Sequence, residues 1–187
     1  MLTQGRYVFD NNHILEKSYD LLCAVFANKE IARRSDPTDD EAPLGLLEKK
    51  FFETKVTRLL IEIAASLRVM SDQMFKLPDN NPEKITYDSR IATIDNYDFG
   101  LFDDLNLNFR ETCNKIIHSE IFEFHFREGM EGHETDVAYL AGVQDKEVDW
   151  KHLNGYVRLS GKKFKDTWIV LLDIEVFISA VVKLLIN

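Results

Sequence analysis

The sequence predicts an α+β fold, a bundle of three to four helices with a small antiparallel β-sheet inserted before the C-terminal helix. Apolar residues recur at steps of three and four over several separate stretches, the period of helices with one buried side. Between the last two of these stretches the period drops to two. Phe122, Phe124 and Phe126 alternate with Glu123, His125 and Arg127, as in a half-buried strand. A chain of 187 residues, 45% apolar and 29% charged, is long enough for one domain over 1–187 with a full core. It contains no internal repeat and no low-complexity tract.

Residues 1–9 read as a short extended lead-in in which Tyr7, Val8 and Phe9 pack locally. The first helix is expected over about 12–34, with Ile14, Leu15, Tyr19, Leu22, Cys23 and Phe26 on one apolar face. Asp10 and the asparagines after it are its N-cap candidates. Residues 35–43 form an acidic loop bounded by prolines. Its Asp36, Asp39, Asp40 and Glu41 lack the glycine turn and distal glutamate of a calcium loop, so it reads as a solvated connection.

The longest helix, about 46–75, steps through Phe52, Val56, Leu59, Ile63, Leu67, Met70 and Met74. Its methionines read as gap-fillers and its Arg58 and Glu62 as a surface pair. Pro78 and Pro82 end it in a polar connection over 77–95. The next helix, about 103–118, is capped by Asp103 and Asp104 and carries two stripes. Leu105, Phe109, Cys113 and Ile116 make the apolar one. Asn106, Arg110, Asn114 and His118 make a polar one beside it.

The sheet is placed within about 121–172. A strand at 122–126 leads to a loop at 129–135 and a second strand at 137–143. Asn154-Gly155 precedes a third at 156–160, Gly161-Lys162-Lys163 makes a turn, and 168–172 supplies the fourth. Asp173 caps the last helix, about 173–186, whose wide apolar face holds Ile174, Phe177, Ala180, Val181, Leu184 and Leu185.

Composition narrows the function. Thirteen phenylalanines point to a core built partly on aromatic packing. Two cysteines, Cys23 and Cys113, are too few for a secreted disulfide framework, and with no signal-peptide pattern they predict a cytoplasmic protein. The apolar C-terminal stretch carries Asp173, Glu175 and Lys183, so no membrane span is expected. A formal charge of −9 argues against broad coating of nucleic acid, though not against a local basic cleft.

No phosphate-binding glycine loop, HExxH or CxxC motif is present, and no serine lies in a nucleophile elbow. His125, His133 and Glu134 match no regular zinc-ligand spacing, so no metal and no cofactor is expected. Lys162, Lys163 and Lys165 read as a solvated hairpin end.

The polar stripe remains. Asn114 and His118, four residues apart, are neighbours on one helix face, where the amide can orient the imidazole. Such a histidine can serve as general acid or base, and Arg110, one turn earlier, can stabilise charge on a phosphodiester. The same pair equally suits bracing of the helix end, since the dipole favours histidine there.

A helix ending in Cys113-Asn114-Lys115-Ile116-Ile117-His118 within a helical bundle resembles the HEPN superfamily of prokaryotic ribonuclease toxins and defence proteins. The family motif is Arg, a polar residue that is often Asn, three residues, then His. Asn114 and His118 match its last two places. Cys113 stands at the Arg place, and Arg110 lies three residues upstream of it. The resemblance implies a HEPN-like domain that self-associates and acts in a defence or regulatory system. Two activities follow from it. One is a non-catalytic module binding RNA or a cognate protein. The other is a metal-independent endoribonuclease with His118 as acid/base, Asn114 as its orienter and Arg110 as a displaced phosphate stabiliser.

Overall fold

The computed structural model describes residues 10–35, 41–102, 105–128, 150–163 and 166–186. The expectations for 1–9, for Asp36, Asp39 and Asp40, for Asp103 and Asp104, for the 129–135 loop with His133 and Glu134, for the 137–143 strand and for Lys165 lie outside the described residues.

Helix starts follow from side chains that accept the unpaired N–H groups of a first turn. Asp10 caps α1 (Asn11–Arg34), its Oδ1 accepting from the amides of Asn12 at 3.0 Å and His13 at 3.3 Å. Helix α2 (Pro43–Phe75) opens on a proline, whose missing N–H costs nothing at that position. At 33 residues it is roughly 50 Å long and spans the molecule's core. Asp173 Oδ1 accepts from the Val176 amide at 3.0 Å and starts the C-terminal helix, α5 (Ile174–Leu185).

Two helices differ from the sequence-based expectation. The polar connection over 77–95 contains α3 (Pro82–Ile94), with Asn81 capping the Glu83 amide and Pro82 opening the helix rather than breaking it. Only Ile94 of this helix is fully buried, so its apolar period is weak. Helix α4 (Phe109–Ile117) starts six residues later than the expected 103, because Asn108 accepts the Glu111 amide at 2.8 Å and so caps it there. Leu105 and Asn106 are drawn into a strand instead, which takes Asn106 off the polar helical stripe.

The sheet begins earlier than expected for the same reason. Strands β1 (Gly100–Phe102) and β2 (Leu105–Asn106) precede α4, and β3 (Ile121–Glu128), β4 (Lys151–Lys163) and β5 (Asp166–Asp173) follow it. All neighbours are antiparallel, in the order β2-β1-β5-β4-β3. Asn154 and Gly155 do not precede a strand but bulge within β4, where the register shifts opposite Phe124 and Phe126. Gly155 takes φ +93° there, which a side chain would disfavour. Gly161 to Lys163 also lie inside β4, paired with Asp166 to Trp168, and not in a turn.

The fold is therefore α+β, a bundle of helices with an antiparallel sheet whose last strand runs straight into α5. Leu21, Leu60, Ile63, Leu67, Ile116, Val157, Val170 and Phe177 belong to one buried cluster that joins helices to sheet. Burying each such side chain stabilises the fold by about 1.5–3 kcal/mol before entropy is counted. Aromatic contacts run through it. Phe109 lies 5.7 Å from Phe99 and 6.1 Å from Phe177, ring centre to ring centre. Among the described residues, no helix is long and apolar enough to cross a membrane.

The buried side of α1 is rotated from the expected one. Ile14, Ser18, Leu21, Val25 and Asn28 face inward, while Tyr19, Cys23 and Phe26 face out. Polar residues occupy inward positions because each has a partner. The Ser18 hydroxyl donates to the Ile14 carbonyl at 2.8 Å. Asn28, 2% exposed, donates to Glu48 Oε1 on α2 at 2.6 Å and accepts from the buried Leu153 amide of β4 at 2.6 Å.

One side chain thus bolts α1 to both α2 and β4. Replacing it by alanine (Asn28→Ala) leaves the Leu153 N–H without its acceptor and is expected to cost about 1–3 kcal/mol in urea unfolding. A loss no larger than that of ordinary surface substitutions, about 0.5 kcal/mol, would show that this bond does not hold helix to sheet.

Candidate functional site

The site is a polar seam where α4 lies along α2. Helix α4 is fixed at both ends. Its first amide, of Phe109, donates to Asp95 Oδ1 at 2.8 Å. Its last turn rests on the sheet, where Lys115 Nζ stands 4.3 Å over the Trp168 ring and the Glu120 amide donates to the Ser160 carbonyl at 2.8 Å. A Cβ at Gly161 would stand 2.5 Å from Trp168 Cζ2 and 2.8 Å from the His118 carbonyl oxygen. The glycine is there for close approach, and it sets how near α4 comes to β4.

Phe109, Thr112, Cys113 and Ile116 form the buried side of α4, as the apolar stripe predicts. Arg110 and Asn114 emerge against α2 and meet residues that sequence reasoning did not select. Asp72 Oδ1 accepts from Arg68 Nη1 of its own helix and from Arg110 Nη2 at 2.7 Å. Arg110 Nη1 also donates to the hydroxyl of buried Ser71. The Arg110 guanidinium lies 4.8 Å over the exposed Phe75 ring. Arg68 Nε donates to Asn114 Oδ1 at 2.7 Å, and Asn114 Nδ2 donates to Glu111 Oε1 at 3.0 Å.

The three expected site residues are therefore placed differently from one another. Asn114 is joined to Arg68 and Glu111, and no hydrogen bond between it and the His118 ring occurs among the described residues. Arg110 is anchored one turn further back, on Ser71, Asp72 and Phe75. His118 is the exposed C-cap of α4. Its backbone N–H donates to the Asn114 carbonyl at 3.0 Å. The imidazole stands in solvent one turn beyond the Arg68–Asn114 pair.

Arg68 and Asp72 were within reach of the sequence. They lie four residues apart on α2, and Ser71 interrupts the apolar face beside them. A buried serine flanked by such a pair signals a polar neighbour that packing alone does not require. Among the described residues, no group of three or more His, Cys, Asp or Glu is placed to hold a metal ion.

The electrostatics follow from the contacts. Hydrogen bonds from Arg68 first and Arg110 second hold the Asp72 carboxyl below its usual range. Burial pushes the Cys113 thiol up to about 12, against the weaker pull of Arg68 and Arg110. Cys113, which stands at the HEPN motif's Arg place, is thus a neutral core side chain and no nucleophile.

Two outcomes are expected. Asp72 should titrate, by carboxyl NMR shift, below the usual aspartate value of about 3.9. Its stabilising contribution is then present above that value and disappears as pH falls through the folded pKa. A normal midpoint for Asp72, unchanged in an Arg68→Met, Arg110→Met variant, would contradict the seam. Cys113 should resist iodoacetamide in the native protein and react in guanidinium, read by mass spectrometry. Rapid native alkylation would overturn its burial. No family model, curated protein or solved structure matches this chain.

Proposed function

We propose that this chain is a HEPN-like interaction module of a prokaryotic defence or regulatory system. In this reading it binds a partner, protein or nucleic acid, through the face that carries Phe75, Arg110, Asn114 and His118, and does not cleave it. The observation that carries the reading is the convergence of both guanidinium groups on Asp72. Arg110 is pinned by Ser71, Asp72 and Phe75, so it supplies no cation beside the imidazole. Phosphodiester cleavage by an acid/base histidine demands a cation that stabilises the developing charge, and Arg110 in this position does not give it. The same features suit binding. An exposed aromatic ring with a guanidinium laid over it, beside polar groups already held in place, is a preorganised contact surface.

A second reading, the metal-independent endoribonuclease, is favoured by one contact. Arg68 Nε on Asn114 Oδ1 puts a guanidinium from α2 one helical turn from His118, a substitute for the Arg that the motif lacks.

One experiment separates the two. Purified protein and a folded His118→Ala variant are incubated with a mixed RNA pool in EDTA. The binding reading expects the pool to stay intact with both proteins. RNA held back on a native gel then names nucleic acid as the partner, and free RNA directs the search to protein. Cleavage by the native chain that is lost in His118→Ala would replace the binding reading with the ribonuclease.

A further inference from the structure

We propose that the outer edge of β3 and the groove between that strand and α2 bind an extended segment of a partner protein as a further strand of the sheet. The segment carries apolar side chains at alternate positions and a lysine or arginine against Glu53. It uses earlier turns of α2 than the seam does, and the inference does not rest on the function proposed above.

The backbone of the edge specifies the ligand. β3 is the outermost strand on its side of the sheet, and among the described residues no strand pairs with its far side. An antiparallel neighbour receives the N–H and C=O groups of alternate residues only, so the other half along Ile121–Glu128 point away from β4. Folded proteins commonly blunt such an edge with proline, lysine or a bulge in the edge strand. The stretch from Ile121 to Glu128 holds neither proline nor lysine. The irregularity belongs to β4, where the four steps from Leu153 to Val157 face only two from Phe126 to Phe124. Apolar side chains are displayed as well, with Ile121 58% and Phe126 42% exposed.

The groove beside the edge fixes the side chains. It has a volume of about 480 Å³ and is lined by Glu53, Thr57 and Ile61 of α2 and by Phe122 and Phe124 of β3, among others. No other strand contributes to it, which places it along the edge. From Glu53 to Glu62 the helix advances roughly 13 Å, the reach of about four extended residues. Two of those four turn into the groove, where Ile61 and the two phenylalanine rings receive apolar groups. Glu62 lies within 4 Å of both Arg58 and Lys17, at 3.7 and 3.5 Å. Glu53 is exposed and has no ion pair among the described residues, so a cation on the incoming strand completes it.

The same features decide against other occupants. Nucleic acid has no repeat of N–H and C=O to match the edge, and its phosphates would meet Glu53 and Glu62. Two β3 edges paired about a two-fold axis would set both α2 helices on one face of the joined sheet, each beside the groove that the other copy's strand must enter.

The probe is a fluorescein-labelled peptide of about seven residues in which valine alternates with threonine and lysine, titrated against the full chain by fluorescence polarisation. Binding is expected with a Kd of about 1–100 μM. Deuterium uptake by the backbone amides of 121–128 is expected to slow roughly threefold or more in the complex, as outward N–H groups gain acceptors. Proline in place of the probe's central threonine should abolish binding. Thr57→Trp fills the groove and is expected to weaken binding roughly tenfold, and Glu53→Lys roughly threefold, the latter recovered by a probe with glutamate for lysine. Circular dichroism checks that both variants are folded. An absence of binding up to about 1 mM, unchanged exchange over 121–128 in the complex, or full affinity in Thr57→Trp would each overturn the proposal. A single-stranded RNA that displaces the probe and slows the same amides would replace the protein partner with nucleic acid. A native dimer that the probe dissociates would make a second copy the occupant.

Discussion

The space beside Gly161 is the constraint around which the helical layer is arranged. The Trp168 ring and the His118 carbonyl both occupy the volume that a side chain at this position would fill. Because they do, the end of α4 lies directly on β4, and Lys115 can rest its ammonium on the Trp168 ring. The chain then leaves the helix and enters β3 through the bond from Glu120 to Ser160. With that end fixed on the sheet and the other fixed by Asp95, the helix has one remaining freedom, rotation about its axis. Burial of Phe109, Cys113 and Ile116 settles the rotation. Arg110 and Asn114 face α2 as a consequence of these packing terms, before any electrostatic attraction is considered.

Asp72 then decides what the seam becomes. A half-buried guanidinium without a partner is costly, and two of them facing one another would force α2 and α4 apart. One carboxylate oxygen accepting from both turns a repulsive pair into a bridge. The hydroxyl of Ser71 and the face of Phe75 complete the coordination of Arg110. The arrangement cements the two helices, and Asp72 and both arginines remain in partial contact with solvent.

Local rules made α1, α2 and α5 legible, because Asp10 and Asp173 cap their helices where expected and the apolar period is long. The failures lie where a tertiary contact outweighed a local pattern. Leu105 fits the apolar spacing of α4, yet its backbone pairs with Phe102. Tyr19 and Phe26 look like core on α1, yet Ser18 and Asn28 take the inward places because a carbonyl, a carboxylate and a strand amide satisfy them. Helix α3 buries Ile94 alone and so has little period to read. At the site, Arg110, Asn114 and His118 were readable from their common spacing. The contact between Arg68 and Asn114 was not, because it joins residues 46 positions apart and no periodicity links two helices. Gly161 misled for a related reason. A glycine before two lysines suggests a turn, and only the Trp168 ring shows that it serves close approach.

The charge of the whole chain bears on function less than the charges within one Debye length of the imidazole. At physiological ionic strength that length is about 8 Å, so most of the −9 is screened from the seam. Within the seam itself Arg68 and Arg110 are set against Asp72 and Glu111, while Lys115 and Glu120 flank His118 along the chain. A cleaving site must offset new negative charge on a phosphodiester as it passes through its transition state. Both guanidinium groups of the seam already donate to acceptors of the protein, Arg110 to Asp72 and Ser71 and Arg68 to Asp72 and Asn114. Paired and preorganised polar groups do suit recognition, in which nothing needs to change charge. Under the binding proposal, the pairing of these charges within the protein, more than the acidity of the whole chain, is what favours contact over cleavage.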